Sequence, residues 1–204
     1  MTQHESPQIA GGPIIVTDYN PIWPQWFAEL SGRTWPEVAD VALRIDHVGS
    51  TAVTGLAAKP IIDMDIVVRS STEGPLVVAS LTEAGYRWDG NLGVEGREAF
   101  SSPGEHQWPR HHLYLVVDGN RAHMDHILLR DLLRSDPVAC RRYEELKRTN
   151  AALADGDLDY YVAAKAGLVA ELLTRARLER GLAPVTYWVP DLETPDAARS
   201  ARTE

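Results

Sequence analysis

A strand-like run, Leu43 to Val48, leads into Gly49-Ser50-Thr51, and a dozen residues later comes Ile61-Ile62-Asp63-Met64-Asp65-Ile66-Val67-Val68. No other stretch constrains the chain as much. The second run has the length and β-branched content of a strand. Side chains alternate along a strand, so Asp63 and Asp65 share one side and Met64 takes the other. Two carboxylates on one side of an apolar strand are costly to bury unless a cation or hydrogen-bond donors compensate them. Magnesium suits that need, because it prefers hard oxygen ligands and shares its coordination sphere with phosphates. A Gly-Ser-Thr turn that follows a strand and opens a short helical segment offers backbone N–H groups and a hydroxyl to phosphate. Alone, the tripeptide is an ordinary turn. With Asp-x-Asp close behind it, the pair points to a polyphosphate and a metal ion held together.

The rest of the chain organises around these two strands as a single domain over 13–182, with 1–12 and 183–204 expected as flexible tails. Pro13 to Val16 reads as a short strand. Asp18-Tyr19-Asn20-Pro21 is a turn able to cap a helix, in which Trp23, Trp26, Phe27 and Leu30 recur at helical spacing. Pro36 is expected to break or restart that helix. A helix over Leu76 to Ala84 is stopped by Gly85. Residues 86–110 read as one strand and a long loop. His111 to Val117 is a strand closed by the Asp118-Gly119-Asn120 turn. Three helical segments follow: one over 123–134, one opened by Asp136-Pro137, and one from about Asp157 to Arg180. Strands and helices first, then a helical final third, predict an α+β fold: a small mixed sheet with packed helices and a helical C-terminal layer.

Composition narrows the function. A net charge of −9 over 204 residues argues against broad nucleic-acid binding, which needs a basic surface. It leaves room for a local basic pocket. The single cysteine, Cys140, excludes an internal disulfide and a cysteine metal cluster. The N-terminus lacks the basic and apolar regions of a secretory signal, and no apolar run is long enough to span a bilayer. A cytoplasmic protein without a membrane partner is expected.

The run from His47 to Val53, with Gly55-Leu56-Ala57-Ala58-Lys59-Pro60-Ile61-Ile62-Asp63, resembles the signature of the GrpB family. Further matches lie in order along the chain: Tyr19-Asn20-Pro21-Ile22-Trp23-Pro24, Arg110-His111-His112-Leu113, Arg130-Asp131-Leu132-Leu133-Arg134, Tyr143 with Leu146-Lys147, and Tyr161 with Lys165. The resemblance covers roughly 13–176 and implies a nucleotidyltransferase-like fold. It implies that Gly49 and Ser50, with Thr51, hold the phosphates of a nucleoside triphosphate. It also implies that Asp63 and Asp65 bind magnesium while an acceptor hydroxyl, of unspecified identity, attacks in line. The alternative is a non-catalytic nucleotide-binding or interaction module that retains the fold.

A third carboxylate discriminates the two. The strand at 111–117 offers His112 and Tyr114 where that acid is expected, and Asp118 and Asp125 are the nearest substitutes. Lys59 and Arg110 are candidates to neutralise phosphate charge, with Arg130 and Lys165 as accessory cations. Arg130 and Arg134 also suit an intrahelical charge network with Asp131. His47 is expected to hydrogen-bond behind the turn. His111, His112, His123 and His126 invite a zinc reading, but His111 and His112 point to opposite faces of a strand and no zinc motif is present. Trp88 and Trp108 flank the long loop as packing or base-stacking candidates.

Overall fold

The computed structural model describes residues 12–102 and 109–185, so most of both expected tails, and Trp108, lie outside the described residues. Five strands form one sheet: β1 (Arg44–Val48), β2 (Ile62–Val68), β3 (Arg87–Gly90), β4 (Arg97–Ser101) and β5 (His111–Val117). Their spatial order is β1-β2-β5-β4-β3. The central β2–β5 pair is parallel and every other pair antiparallel. A parallel pair needs a long crossover. Here it contains α2 (Gly74–Glu83) and the β3–β4 hairpin. The predicted long loop therefore holds a second strand.

The two faces of the sheet differ in kind. Ile62, Met64, Ile66 and Val68 of β2, with Leu113 and Leu115 of β5, pack under α1 (Trp23–Val38) and α2 in the main apolar core. The opposite face carries Asp46, Asp63, Asp65, His112 and Tyr114. It is covered by α3 (Arg121–Ser135), behind which lie α4 (Pro137–Leu153), α5 (Leu158–Ala163) and α6 (Ala166–Leu178). Leu128, Leu132, Tyr143, Val169, Leu172 and Leu173 make a second core among these helices. The predicted α+β class, with its mixed sheet and helical C-terminal layer, is what the chain forms.

Local chemistry explains where the elements start and stop. Asp136 caps α4 by accepting from Val138 N at 2.8 Å and Ala139 N at 3.0 Å, with Pro137 in the first turn. Gly85 follows α2 at φ +92°, a backbone region that glycine enters freely. Three expectations are corrected. Pro36 lies inside α1, which runs through it because Trp23, Leu30, Thr34 and Val38 bury one continuous face. The expected helix from 157 is broken at Ala164–Lys165. There Lys165 N bonds Val162 O at 3.3 Å, three residues back, in a tightened turn. In place of a strand at 13–16, only an isolated bridge of Thr17 to Ala58 forms. Among the described residues no helix is long and apolar enough to cross a membrane.

Candidate functional site

β1 ends at Val48, and Gly49 turns the chain at φ +70° and ψ −169°. That region is open essentially to glycine alone. The turn also brings Gly49 onto β2: a Cβ at this position would stand 2.0 Å from Asp63 Oδ2. Ser50 opens a single 3₁₀ turn (Ser50–Ala52). Thr51 is buried, and its hydroxyl donates to Ile61 O at 3.2 Å. His47 Nε2 lies 3.1 Å from the same hydroxyl and donates to it. The His47 ring stacks on Phe27 at 4.6 Å, on the face covered by α1. Burial pushes its pKa down to about 4, so it is neutral at neutral pH. From α3, Arg130 donates to His47 O at 3.0 Å and Arg134 donates twice to Ala52 O, at 2.9 and 2.6 Å. His47, Thr51, Arg130 and Arg134 thus hold the turn from behind.

On the other face, each of three aspartates meets a histidine. Strand register places Asp63 opposite Val48 and His112, and Asp65 opposite Asp46 and Tyr114. His112 Nδ1 lies 2.8 Å from Asp63 Oδ1. His126 Nδ1, from α3, lies 2.9 and 3.1 Å from the two oxygens of Asp65, which is fully buried. His123 Nε2 lies 3.1 Å from Asp46 Oδ2, while its Nδ1 accepts from Gly119 N at 3.2 Å. That acceptor role fixes the proton on Nε2. Burial pushes the Asp46 carboxyl up, but its His123 and Arg44 hydrogen bonds outweigh burial and hold it below its ordinary value.

The third carboxylate beside the pair is one the sequence did not single out: Asp46 of β1, opposite Asp65 and held by His123 and Arg44, whereas neither expected substitute joins Asp63 and Asp65. Asp118, at the end of β5, pairs with Arg44 at 2.7 Å. Asp125 reaches the cavity wall but pairs with Arg177 at 2.7 Å and Arg121 at 3.6 Å. His112 and Tyr114 occupy the positions beside the pair, with Tyr114 between the His112 and His126 rings at 6.2 and 5.8 Å.

A cavity of about 540 Å³ opens between this face and the C-terminal helices. Gly49, Ser50, Lys59, Asp63, His112 and Lys165 all line it, so the structure brings these expected residues together. Asp65, Thr51 and Arg110 do not line it. Arg110 lends its carbonyl to Ile62 N at 3.0 Å. Trp88 lies at the β3 edge, with Nε1 donating to Glu98 at 2.8 Å.

Sequence reasoning passed over Lys147 as a site residue. Its side chain is buried, its Nζ lies 3.1 Å from Ser50 Oγ, and it also donates to Ala57 O. Burial first, and then the neighbouring Lys165 charge, push its pKa down to about 7. The signal was present in the sequence: Ala139, Tyr143, Lys147 and Asn150 form the buried stripe of α4, and a lysine on an apolar stripe is unusual. Lys165 Nζ sits 4.5 Å from the Tyr161 ring centroid and Lys59 Nζ 5.8 Å from the same ring. Lys147 therefore meets the turn itself, while Lys59 and Lys165 share the Tyr161 ring at the wall of the same cavity.

The arrangement does not fit a two-carboxylate magnesium centre. Both Asp65 oxygens are engaged by His126 in a buried position, and Asp63 gives one oxygen to His112. Among the described residues, no three histidine, cysteine, aspartate or glutamate side chains are placed to hold a metal ion.

The architecture has counterparts. GrpB from Enterococcus faecalis superposes with a TM-score of 0.72 at 28% identity, over 82% of this chain and 99% of that one. A chain of the GLD-2/RNP-8 complex superposes with a TM-score of 0.50 at 14% identity, over 92% of this chain and 70% of that one, a likeness of fold alone. The UPF0157 protein YqkA of Bacillus subtilis is 34% identical over 147 residues, which cover 72% of this chain but only 42% of YqkA. The profile of the GrpB protein family matches residues 13–175, which include the Gly-Ser turn, the Asp-x-Asp strand, the histidine strand and the lysine-bearing helices. With sheet, turn and sequence profile agreeing over that span, the chain belongs to the GrpB family and shares the α+β fold of GrpB from Enterococcus faecalis.

Proposed function

We propose that this chain binds a nucleoside triphosphate in the cavity between the sheet and the C-terminal helices. The phosphates lie against the Gly49–Ser50 turn, and Lys59, Lys147 and Lys165 offset their charge. One observation carries this reading: in a chain of net charge −9, three lysines and a glycine-serine turn line one cavity. Asp63, Glu95 and Asp125 share that lining, so it is the lysine side of the cavity, around Ser50 and the Tyr161 ring, that suits the phosphate end of a ligand. Binding is placed ahead of transfer because Asp65 is sealed behind His126. Calorimetric titration of the full chain with ATP and with adenosine tests the reading. Ser50→Ala should weaken ATP by about tenfold, the worth of one hydrogen bond to a charged group, and leave adenosine unchanged. Absence of ATP binding at millimolar concentration refutes it.

A second reading is magnesium-dependent nucleotidyl transfer to an unidentified acceptor. The observation favouring it is that Asp63 lies against Gly49 at the cavity wall. It requires Asp65 to leave His126. Incubation with labelled triphosphate and magnesium, scored for pyrophosphate release and for label on any acceptor, decides it.

A further inference from the structure

Ser50 and Lys147 form a pair whose chemistry goes beyond holding an anion. Ser50 follows the Gly49 bend and lines the cavity. The Thr51 bond to Ile61 O and the Arg130 and Arg134 bonds brace the turn from behind, so the Ser50 hydroxyl is held in place. Lys147 reaches it from α4, with Nζ 3.1 Å from Oγ and a second bond to Ala57 O. The amine is buried, and burial lowers its pKa to about 7, so charged and neutral forms are both populated near neutral pH. In the neutral form one N–H still donates to Ala57 O, which leaves the lone pair for the Ser50 hydroxyl. A serine hydroxyl beside a neutral amine is an activated nucleophile. Next to this pair the cavity wall is apolar: Tyr143 of α4, Val162 of α5 and Val169 and Leu173 of α6 all line it. The Tyr143 ring centroid lies 4.8 Å from Lys147 Nζ, so the apolar surface begins beside the amine.

We propose that Ser50 is an acyl-accepting nucleophile with Lys147 as its general base, and that the pair hydrolyses small carboxylic esters whose acyl chain lies on the apolar wall. Ser50 Oγ attacks the ester carbonyl carbon while its proton passes to Lys147 Nζ, and the carbonyl π pair moves onto oxygen. When that pair returns, the bond to the alcohol oxygen breaks, and the departing alkoxide takes the proton from Lys147. Water then attacks the acyl-serine, giving a proton to the same amine. The free acid leaves, and the proton returns to Ser50 Oγ. This activity does not rest on the triphosphate reading: phosphate binding draws on the charged form of Lys147, and acyl transfer on the neutral form.

The full chain is incubated with an alkyl fluorophosphonate, which bonds covalently to activated serine oxygens with loss of fluoride, and the labelled peptide is located by mass spectrometry. Label should fall on Ser50. Its rate should rise about tenfold between pH 6 and 8, following the neutral fraction of Lys147, whose charged or titratable neighbours are Lys165, Glu144, Arg148 and Cys140. p-Nitrophenyl butyrate should be hydrolysed about tenfold faster than the acetate, as two more methylenes reach the apolar wall. Ser50→Ala should remove label and turnover together. Lys147→Arg keeps the positive charge but cannot take a proton at neutral pH, so labelling should fall at least about 100-fold. Lys147→Met gives the same readout should the guanidinium not fit, with circular dichroism confirming that each variant is folded. Absence of label on Ser50 in the parent chain, or label that persists undiminished in both Lys147 variants, overturns the proposal. A butyrate rate no greater than the acetate rate overturns the substrate class. Triphosphate binding stands or falls separately, on the ATP and adenosine titrations.

Discussion

Gly49→Ala is the substitution that most directly tests how the turn and the acidic strand are joined. Two costs add. The backbone at φ +70° and ψ −169° is one that alanine avoids, at about 1–3 kcal/mol. The new methyl would also stand 2.0 Å from Asp63 Oδ2, 2.7 Å from Cγ and 2.9 Å from Cβ. Rotating the Asp63 side chain relieves the first two contacts but not the third, because Cβ is fixed to strand β2. The turn or the strand must therefore shift, and the 2.8 Å His112 hydrogen bond breaks. That bond joins a carboxylate to an imidazole in a half-buried place, worth about 1–2 kcal/mol. The sum is about 2–5 kcal/mol, a large share of the 5–15 kcal/mol by which a domain like this is stable. Urea unfolding at pH 7, followed by tryptophan fluorescence and circular dichroism, measures it. In an Asp63→Ala background the oxygen clash and the His112 bond are already gone, so the same glycine substitution should cost at least about 1 kcal/mol less. A loss under about 1 kcal/mol, or an equal loss in both backgrounds, would refute the close approach of Gly49 to Asp63.

Three further outcomes are expected. His47 has its pKa pushed down from 6.5 to about 4 by burial, so between those values the unfolded chain binds the proton and the folded one does not. Acidification through that window should cost up to about 3 kcal/mol, and His47→Phe should flatten the loss in urea melts taken at successive pH values. Lys147 is the alkaline counterpart, with a folded pKa near 7 against an ordinary 10.5. The stability of the parent should rise with pH across that range, so the advantage of Lys147→Met should shrink by about 2 kcal/mol between pH 7 and 9; a pH-independent difference sinks the assignment. His126→Leu strips the donor from a buried carboxylate and should destabilise by about 3–5 kcal/mol, whereas Asp65→Asn keeps an acceptor for the imidazole and should cost far less. Thermal unfolding of the two variants side by side decides this.

Much of the architecture was legible in the chain. The Asp-x-Asp strand, the Gly-Ser turn, the Asp136-Pro137 cap and the opposite directions of His111 and His112 follow from local rules, and the structure obeys them. What was not legible depends on distant partners. Nothing local to Asp65 says that His126, sixty-one residues later, will close over it. Arg110 looked like a phosphate ligand from its place beside a strand, but the cavity opens beyond it. Pro36 and the Ala164–Lys165 break show the same limit: long-range burial carried one helix through a proline, and local spacing hid a bend in the other. Lys147 could have been found, had the helical stripe from Ala139 to Asn150 been read for what does not belong on it.

The sheet described above sets greasy contacts on one side and ionisable groups on the other, with the same backbone serving both. Neighbouring positions on β2 therefore answer to unrelated demands. Met64 and Ile66 can be exchanged for residues of like volume with only a repacking penalty, while Asp63 and Asp65 can be rewritten without opening the interior beneath α1 and α2. A scaffold divided in this way can change what it captures, or lose the ability altogether, and still fold.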